Sequence, residues 1–155
     1  MAAPDATRAA PPALDRFLTY RLHQVNKLTD RASSQAYADA FGLPVGEARC
    51  LAAIGNFAPL SVNELAARAN LDKAQASRAA QALVARELVV KEGSETDARA
   101  VVLRPTAAGR RLWTRMMRLI ARRNEEIFGC LSAAEQRQLS GLLDRIVNHA
   151  REQQP

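Results

Sequence analysis

The spacing of apolar residues predicts a chain built mainly from helices. From Leu14 to Leu28, apolar side chains recur at intervals of three and four residues, which places them on one face of a long helix. The pattern continues to Phe41, and Gly42 then supplies a C-terminal stop. A long helix that keeps an apolar stripe needs a partner to bury that stripe.

Three shorter helices are predicted next. The first is Val45–Ile54, which we expect to end at Gly55. Ser61 stands three residues before Glu64, the spacing of a capping box that begins the second helix. The third helix, Asp72–Arg86, begins at an aspartate, which is a preferred N-cap residue.

The period of the apolar residues then changes. Residues 88–91 and 100–103 are apolar and rich in β-branched side chains, and they flank a polar, turn-rich stretch, which predicts a β-hairpin. Pro105 has the favoured first position of another long helix, which we expect to end at Gly129. A second capping box begins the last helix at Ser132.

This order of elements predicts a fold that is mainly α with a small β-hairpin wing. Two short helices joined by a tight turn and followed by a hairpin are typical of a winged helix-turn-helix. We expect a disordered tail over residues 1–12 and a winged helix-turn-helix DNA-binding domain over 43–105. A helical dimerisation region is expected over residues 13–42 and 106–155.

Composition narrows the possible functions. The 155 residues have a formal net charge of +6, which favours a polyanionic partner, nucleic acid first, although solubility alone also explains it. There is no apolar run long enough to cross a bilayer and no signal-peptide pattern, so we expect a cytoplasmic protein without a membrane partner. A glycine-rich phosphate loop is missing, and the two histidines have no recognisable partners, so we do not expect an enzyme.

The two cysteines, Cys50 and Cys130, are far apart and form neither a disulfide framework nor a metal-ligand spacing. We therefore expect no metal and no cofactor. A cysteine-based redox switch stays open as an alternative, although Cys50 is surrounded by apolar residues and resembles a core position.

The predicted third short helix presents polar side chains suited to DNA. The major groove admits one helix, and glutamine, arginine and serine are side chains that read base edges or bind phosphate there. The alternative is an ordinary solvated helix face. We predict DNA contacts from five residues of this helix and from one at the start of the preceding helix: Lys73, Gln75, Ser77, Arg78, Gln81 and Ser61.

The hairpin adds further candidates for DNA contact. Lys91 and Arg99 lie where a wing meets the phosphates or the minor groove, and arginine is favoured in narrow minor grooves because negative potential concentrates there. Asp97 is an unusual neighbour for DNA, and we expect it to orient Arg99 through a charge-assisted hydrogen bond. A solvated loop tip is the alternative interpretation.

These motifs together resemble the MarR family of bacterial and archaeal regulators. The resemblance extends from about Ala13 to Ala150. It rests on residues 61–66, 73–78 and 83–89, and above all on Asp97-Ala-Arg99 followed by Leu103-Arg-Pro-Thr-Ala-Ala-Gly109. Each motif is short, but their order and spacing together are specific.

The resemblance implies a triangular homodimer in which the first and last helices interlock. It further implies an inverted-repeat operator in double-stranded DNA and, most often, repression by exclusion of polymerase. By position, Gln75, Ser77 and Arg78 match the family's recognition residues, and Arg99 matches its minor-groove residue. Two features depart from the family: Gln75-Ala-Ser77 replaces a common Thr-x-Thr or Ser-x-Thr, and the stretch over 92–97 is acidic where many wings contain arginine.

The resemblance also implies control by a small molecule, often an aromatic carboxylate, bound between the dimer base and the DNA-binding lobe. Such an anion needs a cation and an aromatic wall. Ordinary core packing is the alternative for the aromatic and sulfur side chains, and solvation or ion pairing is the alternative for the basic ones. The candidates are Tyr20, Arg21, His23, Arg49, Trp113 and Met116.

Two further alternatives concern the type of partner. A winged helix can bind protein instead of DNA, but an exposed arginine on the recognition helix favours DNA. RNA binding lacks the interleaved aromatic residues that stack on bases. Arg111, Arg115, Arg118 and Arg122 share one helical face, which fits DNA steering, a bulky anionic ligand such as a coenzyme A thioester, or a solvated surface.

Overall fold

The computed structural model of this protein describes residues 11–154, so most of the predicted disordered tail lies outside the described residues. The fold class predicted from the sequence is confirmed, with six α-helices and one antiparallel hairpin in this part of the chain. The elements are α1 (Leu18–Phe41), α2 (Val45–Phe57), α3 (Val62–Ala69), α4 (Lys73–Ala85), β1 (Val89–Gly93), β2 (Val101–Pro105), α5 (Ala107–Phe128) and α6 (Ala133–Glu152).

The chain divides into two compact units, one up to Gly42 and the other from Leu43 onward. In the first unit a single 3-10 turn, Leu14–Arg16, precedes α1. The helix whose apolar pattern starts at Leu14 begins only at Leu18, because Phe17 has an extended backbone and serves as the N-cap of α1. Gly42 ends α1 in the left-handed conformation at φ 63°, as its position predicted.

The apolar stripe of α1 is exposed. No residue of this helix is buried, and Leu18 and Leu28 are 71% and 69% exposed. Leu22 and Val25 lie on the same face and are about half exposed. The stripe therefore gains little burial within the described chain.

The second unit contains a hydrophobic core built around α2. Helices α2, α3 and α4 pack against one another, and β2 and α5 also pack on α2. The core side chains are fully removed from solvent, and the largest are Leu43, Leu51, Ile54, Leu65, Leu83, Leu103 and Met116. Small residues on α4, including Ala76 and Ala80, allow that helix to approach its neighbours closely.

The prediction that α2 ends at Gly55 is wrong. The helix continues to Phe57, and Gly55 is present because the indole of Trp113 on α5 occupies the space of a side chain. A Cβ at Gly55 would lie 2.2 Å from Cδ1 of Trp113. The indole Nε1 also donates to the carbonyl of Ala52 at 3.3 Å, which fixes α5 on α2.

The hairpin is confirmed, with Val89 opposite Pro105 and Gly93 opposite Val101. Leu60, which precedes α3, adds a single antiparallel bridge to Leu103, with N–O distances of 2.8 and 3.4 Å. The sequence did not predict this bridge, since one residue leaves no periodic pattern. The loop before the helix-turn-helix is thereby attached to the base of the wing.

Pro105 ends β2 instead of beginning a helix, so its predicted role is wrong. Thr106 is the N-cap of α5, and its Oγ1 accepts a hydrogen bond from the Gly109 amide at 3.0 Å. The same hydroxyl donates to the carbonyl of Glu87 at 2.7 Å, and the Thr106 amide donates to that of Leu88 at 3.0 Å. A Cβ at Gly109 would lie 1.9 Å from the Leu88 oxygen, so only glycine fits this crossing.

The last helix, α6, begins at the predicted capping box. Ser132 Oγ accepts from the Glu135 amide, and the Glu135 carboxylate accepts from the Ser132 amide at 2.8 Å. These hydrogen bonds to Ser132 hold the pKa of the Glu135 carboxyl below its ordinary value. Like α1, α6 contains no buried residue, and it exposes an apolar face formed by Leu142, Leu143, Ile146 and Val147.

Candidate nucleic-acid interface

Two capping boxes shape the helix-turn-helix. Ser61 and Glu64 exchange hydrogen bonds at the start of α3, with Ser61 N to Glu64 Oε2 at 2.7 Å. Asn70 ends α3 in the left-handed conformation at φ 55°. Asp72 then caps α4, so the turn between the two helices is only three residues long. The local sequence therefore determines where both helices begin.

The face of α4 opposite its alanine-rich packing face is polar and exposed. Lys73, Arg78 and Gln81 are exposed there, whereas Ser77 is only half-exposed. The helix presents cations and an amide outward while Ala76 and Leu83 pack inward. This arrangement is what a helix needs to place side chains against a negatively charged groove.

Two of the predicted DNA-contacting side chains are already engaged in capping. The Oε1 of Gln75 accepts from the Asp72 amide at 3.1 Å, and Ser61 Oγ accepts from the Glu64 amide at 3.2 Å. Gln75 thus has its amide N–H groups free but its oxygen occupied, whereas bidentate recognition of adenine uses both. The Ser61 hydroxyl still has a proton to donate. In this conformation both side chains keep donor groups that a partner can use.

The wing tip is shaped by Asp97. Its Oδ1 accepts a hydrogen bond from the backbone amide of Arg99 at 3.0 Å. The carboxylate therefore forms an Asx turn, so its charge-assisted hydrogen bond to Arg99 is made to the backbone amide of that residue. Ser94 Oγ accepts from the amides of Thr96 and Asp97, both at 3.3 Å. Lys91 and Arg99 are both exposed on the wing.

The wing contains an ion-pair cluster that the sequence reasoning missed. Arg104 Nε lies 3.0 Å from Glu92 Oε2, and its Nη2 lies 4.0 Å from Glu95 Oε1. The signal was present in the sequence, because opposite charges stand at positions that share a face in an antiparallel hairpin.

A second missed ion pair connects α2 to the residue that follows α4. Arg86 Nε lies 3.0 Å from Glu47 Oε2, but its N–H does not point at that oxygen, so the contact is an ion pair without a hydrogen bond. The Glu47 side chain is largely buried. No sequence signal indicated this contact, since the two residues are 39 positions apart.

An open cleft of about 370 Å³ lies between the start of α2 and the first half of α4. It brings Arg49, which the sequence assigned to the effector, together with Gln75 and Arg78, which it assigned to DNA. Leu71 and Ala79 supply apolar wall. One predicted effector residue and two predicted DNA-contacting residues therefore line the same cleft.

The remaining effector candidates belong to different units. Tyr20, Arg21 and His23 are exposed on α1. On α5, Met116 is fully buried and Trp113 is half-buried against α2, which fits core packing for both. The effector site stays a prediction.

The basic face of α5 is exposed, at Arg110, Arg111, Arg115, Arg118 and Arg122. Glu126 pairs with Arg122 at 4.0 Å and contacts Arg123. Met116 and Leu119 are buried on the adjacent side of the same helix.

The two cysteines differ in environment. Cys50 is fully buried on α2, where burial, assisted by the charge of Glu47, raises the pKa of its thiol to about 11. Cys130 is exposed after the end of α5. In residues 11–154 no group of three or more potential metal ligands occurs. No helix in that range is long and apolar enough to cross a membrane.

Several solved structures of transcriptional regulators share this architecture. Residues 41–100 match a family model described as MarR family. A MarR/EmrR family regulator from Acinetobacter sp. ADP1 is 26% identical, with 91% of this chain and 99% of that chain covered and a TM-score of 0.81. No curated protein matches the chain.

Two similar structures are of regulators that bind a ligand. BpsR of Bordetella bronchiseptica, whose DNA binding is regulated by 6-hydroxynicotinic acid, is 21% identical over 89% of this chain and 98% of its own, with a TM-score of 0.78. PcaV of Streptomyces coelicolor, solved with its natural ligand, is 22% identical over 91% and 99%, with a TM-score of 0.71. At these identities the likeness shows the fold.

Proposed function

We propose that this chain is a MarR-family protein: a cytoplasmic, homodimeric regulator of transcription that binds an inverted-repeat operator in double-stranded DNA. It acts by binding and not by catalysis. The observation that carries the proposal is the exposed cationic face of α4. Capping boxes begin both α3 and α4, and the wing in the same unit exposes Lys91 and Arg99.

On DNA, α3 lies across the backbone and α4 enters the major groove. Arg78 reads a base edge, since its guanidinium is exposed at mid-helix and can donate two parallel hydrogen bonds to guanine. Lys73, Ser77 and Gln81 bind phosphates or bases beside it. Gln75 and Ser61 donate from the capped positions described above.

The wing extends the contact. Arg99 enters the minor groove from a tip that the Asp97 turn holds in shape, and Lys91 binds phosphate from β1. Asp97 contributes by fixing the backbone of the tip.

A second copy of this chain covers the apolar faces of α1 and α6. Both faces are exposed in the described chain and are rich in leucine and valine, and Arg21 is the charged residue that shares the α1 face. The helical region over residues 13–42 and 106–155 is thus the dimerisation region, and residues 43–105 bind DNA. We expect the two copies of α4 to lie roughly 34 Å apart, one turn of DNA.

A small aromatic carboxylate or its thioester releases the repressor from the operator. The support is that BpsR and PcaV respond to or bind a ligand, together with cationic and aromatic side chains at Arg49, Trp113 and the α1 candidates. Cys50 is a poor redox sensor by comparison, because its buried thiol is kept protonated.

The test is selection of bound fragments from the source genome at roughly 0.15 M salt, where nonspecific phosphate binding is suppressed. We expect one inverted-repeat motif. On that operator Arg78→Ala should weaken binding by roughly 10- to 100-fold, the range of one base-reading arginine, and Arg99→Ala by less.

Arg151→Ala, on the exposed end of α6, is the matched control for loss of one positive charge. Uniform binding to all fragments would reduce the protein to a general DNA-binding protein. If Arg78→Ala and Arg99→Ala both bind the operator with unchanged affinity, the proposed DNA contacts of α4 and of the wing are contradicted.

A further inference from the structure

The wing of this protein contains as many acids as cations. Between β1 and the end of β2 there are three cations, Lys91, Arg99 and Arg104, and three acids, Glu92, Glu95 and Asp97. A neutral wing is a poor electrostatic partner for DNA, since binding of the duplex depends on cations that replace its counterions. How these charges are paired therefore determines what the wing contributes.

The pairing is selective. Glu92 stands opposite Val102 and Arg104 opposite Val90, so the glutamate and the arginine are diagonal neighbours on one face of the hairpin. Val89 and Leu103 are buried from the other face, which leaves the pair on the solvent side. The guanidinium contacts Glu92 at 3.0 Å, whereas Lys91 and Arg99 form no ion pair with any residue from 11 to 154.

We propose that Glu92 masks Arg104 from DNA: the carboxylate lies at the Nε of the guanidinium, offsets its charge toward a backbone phosphate, and so keeps the wing's third cation out of the interface. This inference rests on the proposed function. Arginine binds carboxylates and phosphates through the same N–H groups, so the two anions compete for one guanidinium.

Exposure makes the exchange possible. The side chains of Arg104, Glu92 and Glu95 are 36%, 51% and 90% exposed, so the cluster is accessible to a partner. If phosphate displaced Glu92, the carboxylate would remain beside the phosphate and repel it, because the hairpin register holds both side chains on one face. The pair thus adds no net charge toward DNA while Glu92 is ionised.

The test is the salt dependence of binding to the selected operator, measured for four proteins: wild type, Glu92→Gln, Arg104→Gln and the double variant. Each additional bond to a phosphate makes the slope of log K against log salt steeper by about 0.9. For a dimer with two wings, Glu92→Gln should steepen the slope by about 1.8, so that its advantage over wild type grows about 12-fold when the salt concentration is lowered from about 200 to about 50 mM.

Masking also predicts strong non-additivity. Arg104→Gln alone should leave the slope nearly unchanged, since the arginine is already withheld, and the double variant should return to the wild-type slope. Glu95→Gln removes the same charge at 4.0 Å from the guanidinium and should steepen the slope less than Glu92→Gln does. Glu152→Gln, at the end of α6, is the control for net charge alone.

Two results would overturn the inference while leaving the proposed function intact. One is a wild type that binds its operator with the same slope as Glu92→Gln. The other is a salt-dependence slope that Arg104→Gln makes shallower by as much as Glu92→Gln makes it steeper. Such additive changes are expected of two charges that act on DNA independently. A wild type that retains no DNA fragment would reject both the proposed function and this inference. Thermal unfolding of each variant shows that the hairpin is folded.

Discussion

The winged helix-turn-helix and the long helices α1 and α6 bury their apolar residues in different ways. Among residues 11–154, every buried apolar side chain lies between Leu43 and Leu119, and neither α1 nor α6 contributes one. Yet α1 and α6 have leucine-rich stripes of their own. One region therefore supplies its own core, whereas the other has apolar surface that only a partner can remove from water.

This difference teaches where stability comes from. Burial within one chain is independent of protein concentration, but burial between two copies is not. We expect the winged region to be stable by its own packing, and the two long helices to depend on dimerisation.

The largest effect, on the dimer dissociation constant, is expected when a charged residue is placed in the apolar face of α1 or α6. Leu22→Glu and Ile146→Glu each bury an uncompensated carboxylate in the proposed dimer, at a cost of about 3–5 kcal/mol, or roughly 100- to 4000-fold in the dimer dissociation constant. Sedimentation equilibrium measures this constant. Lys27→Glu and Asn148→Glu, opposite the stripes of the same helices, should leave it nearly unchanged. A monomeric wild type at micromolar concentration would contradict the comparison.

Glycine-to-alanine substitutions distinguish tightly packed helix positions from open ones by their effect on the free energy of unfolding. Gly109→Ala and Gly55→Ala force a Cβ against Leu88 O and the Trp113 ring, and each should lower the free energy of unfolding by about 3 kcal/mol. Gly141→Ala, on the polar face of α6 with nothing within 4 Å of its Cβ position, should raise it by about 0.5–1 kcal/mol. Urea unfolding measures all three. Stabilisation by Gly109→Ala would show that the crossing at Leu88 is loose.

The two serine capping boxes provide a matched pair across the regions. Ser61→Ala and Ser132→Ala each remove one N-cap acceptor and should each cost about 1 kcal/mol. If α6 depends on dimerisation, the Ser132 variant should also raise the dimer dissociation constant, whereas the Ser61 variant should not. Equal behaviour in both assays would remove the distinction between the regions.

The smallest effect concerns pH. Because the folded pKa of Cys50 is raised from 9.0 to about 11, the unfolded chain releases this proton first as pH rises. Stability from the buried thiol is therefore complete below pH 9 and falls progressively between about pH 9 and 11. Cys50→Ala should flatten the pH dependence of unfolding in this range, and Cys130→Ala should not. Rapid alkylation of Cys50 in the folded protein would contradict its burial.

The sequence predicted the helix starts better than the tertiary contacts. Ser61, Asp72 and Ser132 cap helices through residues three positions away, so the information is local. Gly55 was misinterpreted as a helix end because the indole that fills its space belongs to Trp113, 58 residues later. Pro105 was misinterpreted for a similar reason, since the hydrogen bond that anchors the next residue as the N-cap runs back to Glu87.

The candidate interface follows the same rule. Residue types and order are the basis for predicting which helix and which hairpin face DNA. They did not predict what the side chains already hold: Gln75 is bonded to Asp72, Asp97 to the Arg99 backbone, and Arg104 to Glu92. Pairing depends on rotamers and strand register, which a linear pattern specifies only in part.

The hydrogen bonds of Thr106 connect the wing rigidly to α5. Its amide and hydroxyl are bonded to Leu88 and Glu87, immediately after α4, and Gly109 allows α5 to touch the same turn. A rotation of α5 must therefore move the C-terminal end of α4 and the base of the hairpin together. Under the proposed function, a molecule that displaces α5 changes the contact with DNA without touching any residue assigned to that contact.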